Sequence, residues 1–405
     1  MLPRNNDRPQ NRRTILRNAL RVGMIVGLGF TTAAVTTPIG APSAHAATGV
    51  EYRIEQMAEG FDVPWSLAFL PNGNMLITER SGELLRVSPQ GSKVNIGGLP
   101  DIEAVGQGGL LDVAVAADYA TSHHIFISYT RQLPGGIGVA VSRAELRPTE
   151  NTLQNVTQIF SDTRGNDTGR HFGGRLALQG RDHLFLTIGD MGARNEAQNT
   201  SSLWGKVLRL TQDGAIPDGN PFNMRRKGRH EIWSLGHRNP QGAALDAGGQ
   251  LWTSEHGARG GDEINRLSPG LNYGWPVISY GRHYNGRKIG QGTAKRGMEQ
   301  PQHYWDPSIA PSGLAIYDGK MFPEWRGDLF IGSLKLDHIA HLSGRNRGQV
   351  GGVFGSAFGQ NATGITESRI QTPETDRVRD VRVGPDGALW FLSEGNGALY
   401  RLSRR

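Results

Sequence analysis

Four polar, glycine-rich segments hold the residue types best suited to chemistry. They are Gly106-Gln107-Gly108-Gly109, Gly169-Arg170-His171-Phe172-Gly173-Gly174, Leu235-Gly236-His237-Arg238-Asn239-Pro240-Gln241-Gly242 and Ser254-Glu255-His256-Gly257-Ala258-Arg259-Gly260-Gly261-Asp262-Glu263. Glycine weakens a strand but lets backbone come close to a ligand. His171 is the candidate general base, because an imidazole with a pKa of about 6.5 is largely neutral at pH 7 and accepts a proton. Asp190, which ends Thr187-Ile188-Gly189-Asp190, follows a strand starting from the same segment. A carboxylate there would engage the second ring nitrogen, fix the tautomer and stabilise the imidazolium. His123, His124 and His183 read as turn and strand residues instead.

A second group is cationic: Arg238, Lys335 in Gly332-Ser333-Leu334-Lys335, and Arg377 with Arg379. The last two lie two apart on an extended segment, so their side chains leave on one face. Cations gathered around one mouth repel unless an anion sits among them. They imply a small multicarboxylate or a phosphate compound. Neither GxGxxG between a strand and a helix nor GxxxxGK[ST] occurs, so a Rossmann site and a P-loop are unsupported. No Asp-containing turn matches an EF-hand loop. With no cysteine in the chain, disulfides and thiolate metal sites are excluded. Any metal must use oxygen or imidazole ligands, and calcium accepts backbone carbonyls readily.

The elements that position these loops form six copies of one pattern. An apolar run reaches a turn, a second run follows, and a polar tip leads into a third. The copies start at Leu67, Leu110, Gly174, Ala243, Gly313 and Arg379. Their period, roughly 50–80 residues, suits four-stranded propeller blades with long loops. The 57 glycines fall at turns between apolar runs, and amphipathic stretches long enough for helices are few. This reads as an all-β chain of short antiparallel strands in one closed domain, residues 47–405. A propeller gathers its loops at one central mouth, so distant polar residues can converge there.

The formal charge of +7 suggests a nucleic-acid or anionic-membrane partner at first sight. Residues 1–46 hold six arginines against Asp7 alone. Without them, 44 basic and 37 acidic residues become 38 and 36, about +2. No nucleic-acid partner is therefore expected. That segment has the layout of an export signal: a basic region to Arg21, an apolar run, and Ala44-His45-Ala46 at the cleavage position. The apolar run from Val22, about 14 residues, is short for a bilayer span. Arg12-Arg13 before Thr14-Ile15-Leu16 resembles a twin-arginine signal, against the alternative of an ordinary secretory one. The expected location is periplasmic or secreted, with no integral membrane segment after signal removal.

Taken together, HFGGRL, IGD, GHRNPQG, SEHG followed by GGDEIN, and NYGWP occur in order in this chain. They resemble the soluble pyrroloquinoline-quinone (PQQ)-dependent sugar dehydrogenases of the glucose/sorbosone dehydrogenase family, closest in type to the bacterial aldose sugar dehydrogenases. The resemblance runs from about Phe61 to the C-terminus. It implies a six-bladed β-propeller that oxidises the C1 hydroxyl of aldoses to lactones and passes electrons to a soluble acceptor. By this resemblance His171 takes the hydroxyl proton, Asp190 orients it, and Arg238 stabilises charge on the quinone. Gln107, Asn239 and Tyr284 contact the cofactor, while Lys335, Arg377 and Arg379 bind its carboxylates. The carbonyls of Gly257 and Ala258 hold the calcium that ligates the quinone, although many relatives have Pro at the Ala258 position. Glu263 and Tyr273, the latter through its carbonyl, match a second calcium site, where His283 replaces an acidic ligand of some relatives. The segment Tyr280–Pro311 is expected to be a mouth loop, with Trp305 as a sugar-stacking face. Two alternatives stand beside this reading: a calcium-dependent propeller lactonase and a non-enzymatic binding propeller.

Overall fold

The computed structural model describes residues 50–223, 228–344 and 364–405. The leader assigned to residues 1–46 lies outside the described residues. The remainder is six four-stranded antiparallel sheets. Their inner strands are Pro64–Phe69, Leu110–Val115, Gly173–Gln179, Pro240–Leu245, Pro311–Ile316 and Val378–Val383. Each inner strand packs against the next and the sixth packs against the first, which closes a six-bladed propeller. All six sequence copies begin in or beside these strands. The ring is sealed by the strand Tyr52–Glu59, which pairs with Ala398–Arg404 as the outermost strand of the last blade.

Burial explains the residue pattern. The second strands Met75–Glu79, Leu251–Glu255, Leu329–Ser333 and Leu389–Ser393 are buried at every position, because each blade is sandwiched between two neighbours. Such strands read as near-continuous apolar runs rather than alternating ones. Outer strands such as Gln154–Ser161 are mostly exposed. Neighbouring blades share cores: Leu76 and Leu84 pack with Leu110, Val113 and Ile125, and Phe330 and Ile339 with Val381 and Phe391. Each such side chain stabilises the fold by about 1.5–3 kcal/mol on burial.

Two repeated polar features tie the ring together. Hydroxyls on second strands donate to the inner strand of the next blade: Thr78 Oγ1 to the Leu111 carbonyl at 2.6 Å, Thr187 Oγ1 to Pro240 at 3.1 Å and Ser254 Oγ to Ser312 at 2.7 Å. Ser128 makes the same bond to Gly174. Beneath the mouth, Arg175 and Arg382 each bridge Asp112 and Asp380 at 2.9–3.2 Å. Asp112 also accepts the Leu176 amide and Asp380 the Leu67 amide, so each carboxylate staples two inner strands. Every inner strand shifts register near its start. Such irregularities re-aim side chains where a strand leaves the ladder, which here is the mouth.

Candidate active site

His171 and Asp190 meet as expected. The Nδ1–H of His171 donates to Asp190 Oδ1 at 2.7 Å, leaving Nε2 as the free ring nitrogen. His171 adopts a left-handed backbone, φ 60°, and its amide donates to Gln107 Oε1 at 2.8 Å. Gly189 makes this possible, because a Cβ there would collide with the His171 carbonyl. Asp190 is fixed from three further directions: the Trp275 indole N–H to Oδ2 at 2.8 Å, the Gly192 amide to Oδ1 at 2.8 Å, and its own amide to the Arg238 carbonyl at 2.7 Å. Burial pushes His171 below its ordinary pKa, and the Arg238 charge adds to this against the opposing hydrogen bond that the ring donates to Asp190. Burial also raises Asp190, but the His171 bond and charge outweigh it and leave the carboxyl below its usual range. The pair is thus a neutral imidazole held by an ionised carboxylate at neutral pH.

Beside the dyad lies a cavity of about 620 Å³, lined by residues that include Gln107, Asn239, His256, Lys335, Arg377 and Arg379. His171 does not itself line it but is tied to its wall through Gln107. Asn239 is buried, and its Oδ1 accepts from the Gly173 amide and from Gln241, both at 3.2 Å. Arg238 is buried, donates to the His256 carbonyl at 3.2 Å and lies over the Trp275 ring at 5.4 Å.

The cations are less bare than the sequence suggested. Glu394 accepts from Arg377 at 2.7 Å and from Arg379 at 2.5 Å, and Asp337 and Asp376 also line the cavity. Part of the expected compensating anion is therefore internal. Burial lowers Arg379, with Glu394 opposing, and the same Glu394 is held below its usual range by the two arginines despite its burial. Lys335 is exposed on the wall.

Several sequence expectations are corrected or extended. Trp305 is a core residue, not a sugar platform: it is 5% exposed, packs with Trp252 and Ile264, and donates to Glu367 at 2.9 Å. The segment 280–311 is not all loop, since His303–Trp305 forms the outer strand of the fourth blade. Tyr284 is 75% exposed and does not line the cavity. The first blade, which gave no candidates, supplies Trp65 and Arg80 to the lining. His256 was missed although its segment was singled out. Its Nε2 is sealed and unpartnered, and burial with the charges of Arg238 and Arg379 drives its pKa down to about 3.

The residues expected to hold calcium fall in two places. Gly257 is fixed by its amide bond to Asp262 at 2.8 Å, beside Ala258. Glu263 stands directly opposite Glu255 in the sheet, and burial with that facing charge pushes it up to about 8. Facing carboxylates destabilise a sheet unless something cationic joins them. Glu255 is otherwise engaged by His237 at 2.8 Å, and His237 stacks on Tyr273 at 5.0 Å. Tyr273 is buried, with its hydroxyl bonded to the Arg266 carbonyl at 2.8 Å. His283 is turned toward Arg194 at 3.2 Å. Among the described residues, no group of three or more His, Asp or Glu side chains is disposed to hold a metal ion.

The fold and site define a six-bladed β-propeller with a carboxylate-held histidine beside a cation-walled cavity. The chain belongs to the glucose/sorbosone dehydrogenase family, whose model matches residues 61–401. It is 42% identical over 360 residues to the aldose sugar dehydrogenase YliI of Escherichia coli K12, covering 87% of this chain and 93% of that one. It is 32% identical over 307 residues to quinoprotein glucose dehydrogenase B of Acinetobacter calcoaceticus, covering 67% and 62% of the two chains. Among solved structures, the apo aldose sugar dehydrogenase of E. coli superposes with a TM-score of 0.80 at 41% identity, covering 87% of this chain and all of that one. A PQQ-bound aldose sugar dehydrogenase from Streptomyces coelicolor superposes at 0.69 with 27% identity, over 87% and 98%.

Proposed function

We propose that this chain is a PQQ-dependent aldose sugar dehydrogenase that converts the C1 hydroxyl of an aldose to a lactone. The observation that carries this reading is the His171–Asp190 dyad beside a cation-walled cavity. His171 Nε2 takes the hydroxyl proton, and Asp190 holds Nδ1–H so that the developing imidazolium is stabilised without moving. Trp275 and Gly192 keep Asp190 in place. Arg238, buried beside the dyad, favours negative charge developing in the cavity, an effect strengthened where water is excluded.

The lining fits a planar tricarboxylate quinone. Arg80, Lys335, Arg377 and Arg379 outnumber Asp337 and Asp376 on the wall, and the sealed Nε2 of His256 lacks a partner. When bound, PQQ supplies the hydride acceptor. Gln107 and Asn239 would hold it by hydrogen bonds, and Lys335, Arg377 and Arg379 its carboxylates. The exposure of Tyr284 leaves it outside this set. Calcium suits the carbonyls of Gly257 and Ala258 beside this cavity. A second ion would offset the facing Glu263 and Glu255, with Tyr273 contributing its carbonyl. The export layout of residues 1–46 supports a periplasmic or secreted enzyme, and among the described residues no helix is long and apolar enough to cross a membrane.

The test is reduction of a dye by the apoprotein with a panel of aldoses, with and without PQQ and Ca²⁺. Turnover that requires the quinone is expected. Metal-dependent lactone opening without quinone would instead establish a lactonase.

A further inference from the structure

One side of the mouth carries a ribbon of cations that the proposed reaction does not use. Between Glu263 and Glu299 the chain has six basic residues and no acidic one. Within it Arg282 pairs with Arg259 on one side and with Lys288 on the other, in antiparallel bridges. The Arg259 and Arg282 amides exchange bonds with each other's carbonyls at 2.9 and 3.0 Å. Three like charges are thus set side by side on paired backbone, an arrangement that costs stability. All three are exposed, as are Arg287, Lys295 and Arg296. None of these six is in an ion pair among the described residues. Tyr284, three-quarters exposed, stands in the turn of the ribbon.

The ribbon lies on the dyad's side of the mouth. His283 within it bonds Arg194, which follows Asp190 by four residues, and Trp275 of the same segment bonds Asp190 itself. Arg170, next to His171, is exposed on this side as well and reaches Gly192. Outside the leader the chain is nearly neutral, so this concentration is local.

We propose that this ribbon is the docking surface for an acidic electron-carrier protein. The inference rests on the oxidoreductase reading above. Oxidation of the C1 alcohol to a lactone removes two electrons and two protons. The electrons leave singly to two carriers in successive encounters, each carrier being reduced by one, and the protons pass to water. A basic rim at the edge of the reacting site steers an acidic carrier to the place where electrons emerge. A membrane surface would gain from the same charge but nothing from its position beside the dyad.

The probe is plastocyanin, an acidic blue-copper protein, with an uncharged quinone dye as control. Reoxidation of the sugar-reduced holoenzyme by plastocyanin should fall about tenfold between roughly 20 and 200 mM salt. The double variant Arg282→Glu/Lys288→Glu should lower the low-salt rate by about tenfold while dye turnover stays within about twofold. Arg282→Gln/Lys288→Gln should give a smaller loss in the same direction. Calorimetric binding of oxidised plastocyanin to the unloaded protein is measured in parallel, so that failure of sugar turnover with binding intact counts against the catalytic reading and for the surface. Equal plastocyanin rates in variant and wild type, or no salt-dependent binding, would overturn the proposal. So would loss of phosphatidylserine-vesicle binding in the variant with the plastocyanin rate unchanged.

Discussion

The wall built by the second to fourth blades and the wall built by the fifth and sixth hold their polar groups by opposite means. On the first, the His171–Asp190 pair is fixed from outside by neutral or backbone partners: the His171 amide by Gln107, and the Asp190 carboxylate that holds the ring by Trp275 and Gly192. On the second, Arg377 and Arg379 are fixed by one shared carboxylate, Glu394. Neutral scaffolding leaves a proton acceptor free to change charge. Ionic scaffolding keeps cations charged whatever occupies the cavity. Under the proposed function, the difference separates a wall that reacts from a wall that holds.

The comparison breaks most sharply at His171. His171→Gln should lower turnover by about 10²–10⁴-fold while cofactor affinity, from fluorescence titration, changes only severalfold. A parallel loss of affinity would place His171 on the holding wall. Asp190→Asn should cost on the order of 10² in turnover, since the ring loses the partner that fixes its tautomer. Arg379→Ala should do the reverse, weakening cofactor binding far more than the rate at saturation. It leaves Glu394 with a single cation in a part-buried site, a loss of about 2–5 kcal/mol where a buried charge pair is broken. The pH profile sharpens the contrast further. Because His171 lies below its ordinary pKa, the rate should rise with pH through a value below the usual imidazole range and then stay level. A rise at or above that range would mean that the cavity does not desolvate the ring. The smallest effect belongs to the scaffold: Thr78→Val should cost about 1 kcal/mol of unfolding free energy, with kinetics unchanged.

Much of this arrangement was legible in the residues. All six apolar copies fall on inner strands, because a blade sandwiched between neighbours must repeat its apolar run. The dyad was legible because both members lie at the ends of one hairpin, 19 residues apart. Glu394 was not, although the pairing of Val378 with Ser393 brings Arg377 beside it; seeing that requires the hairpin register, not the residue types. His256 was hidden by its neighbours, since an isolated histidine in a glycine-rich turn reveals nothing about whether Nε2 finds a partner. Trp305 was misread because an indole suits a sugar face and a core equally, and only its place on an outer strand decides. The hydroxyls that join blades went unseen for a similar reason. Thr and Ser inside apolar runs look like dilution until the next blade's carbonyls are in place.

The closure of the last blade has a consequence for how the molecule comes into being. Tyr52 pairs with Arg404, so the first of the described strands waits for the last before either is covered. Contacts this remote in sequence form slowly, and until they form both edges stay open to wrong partners. Arg377, Arg379 and Glu394 belong to the blade that closes last. The wall proposed to hold the cofactor is therefore completed only when the ring itself closes.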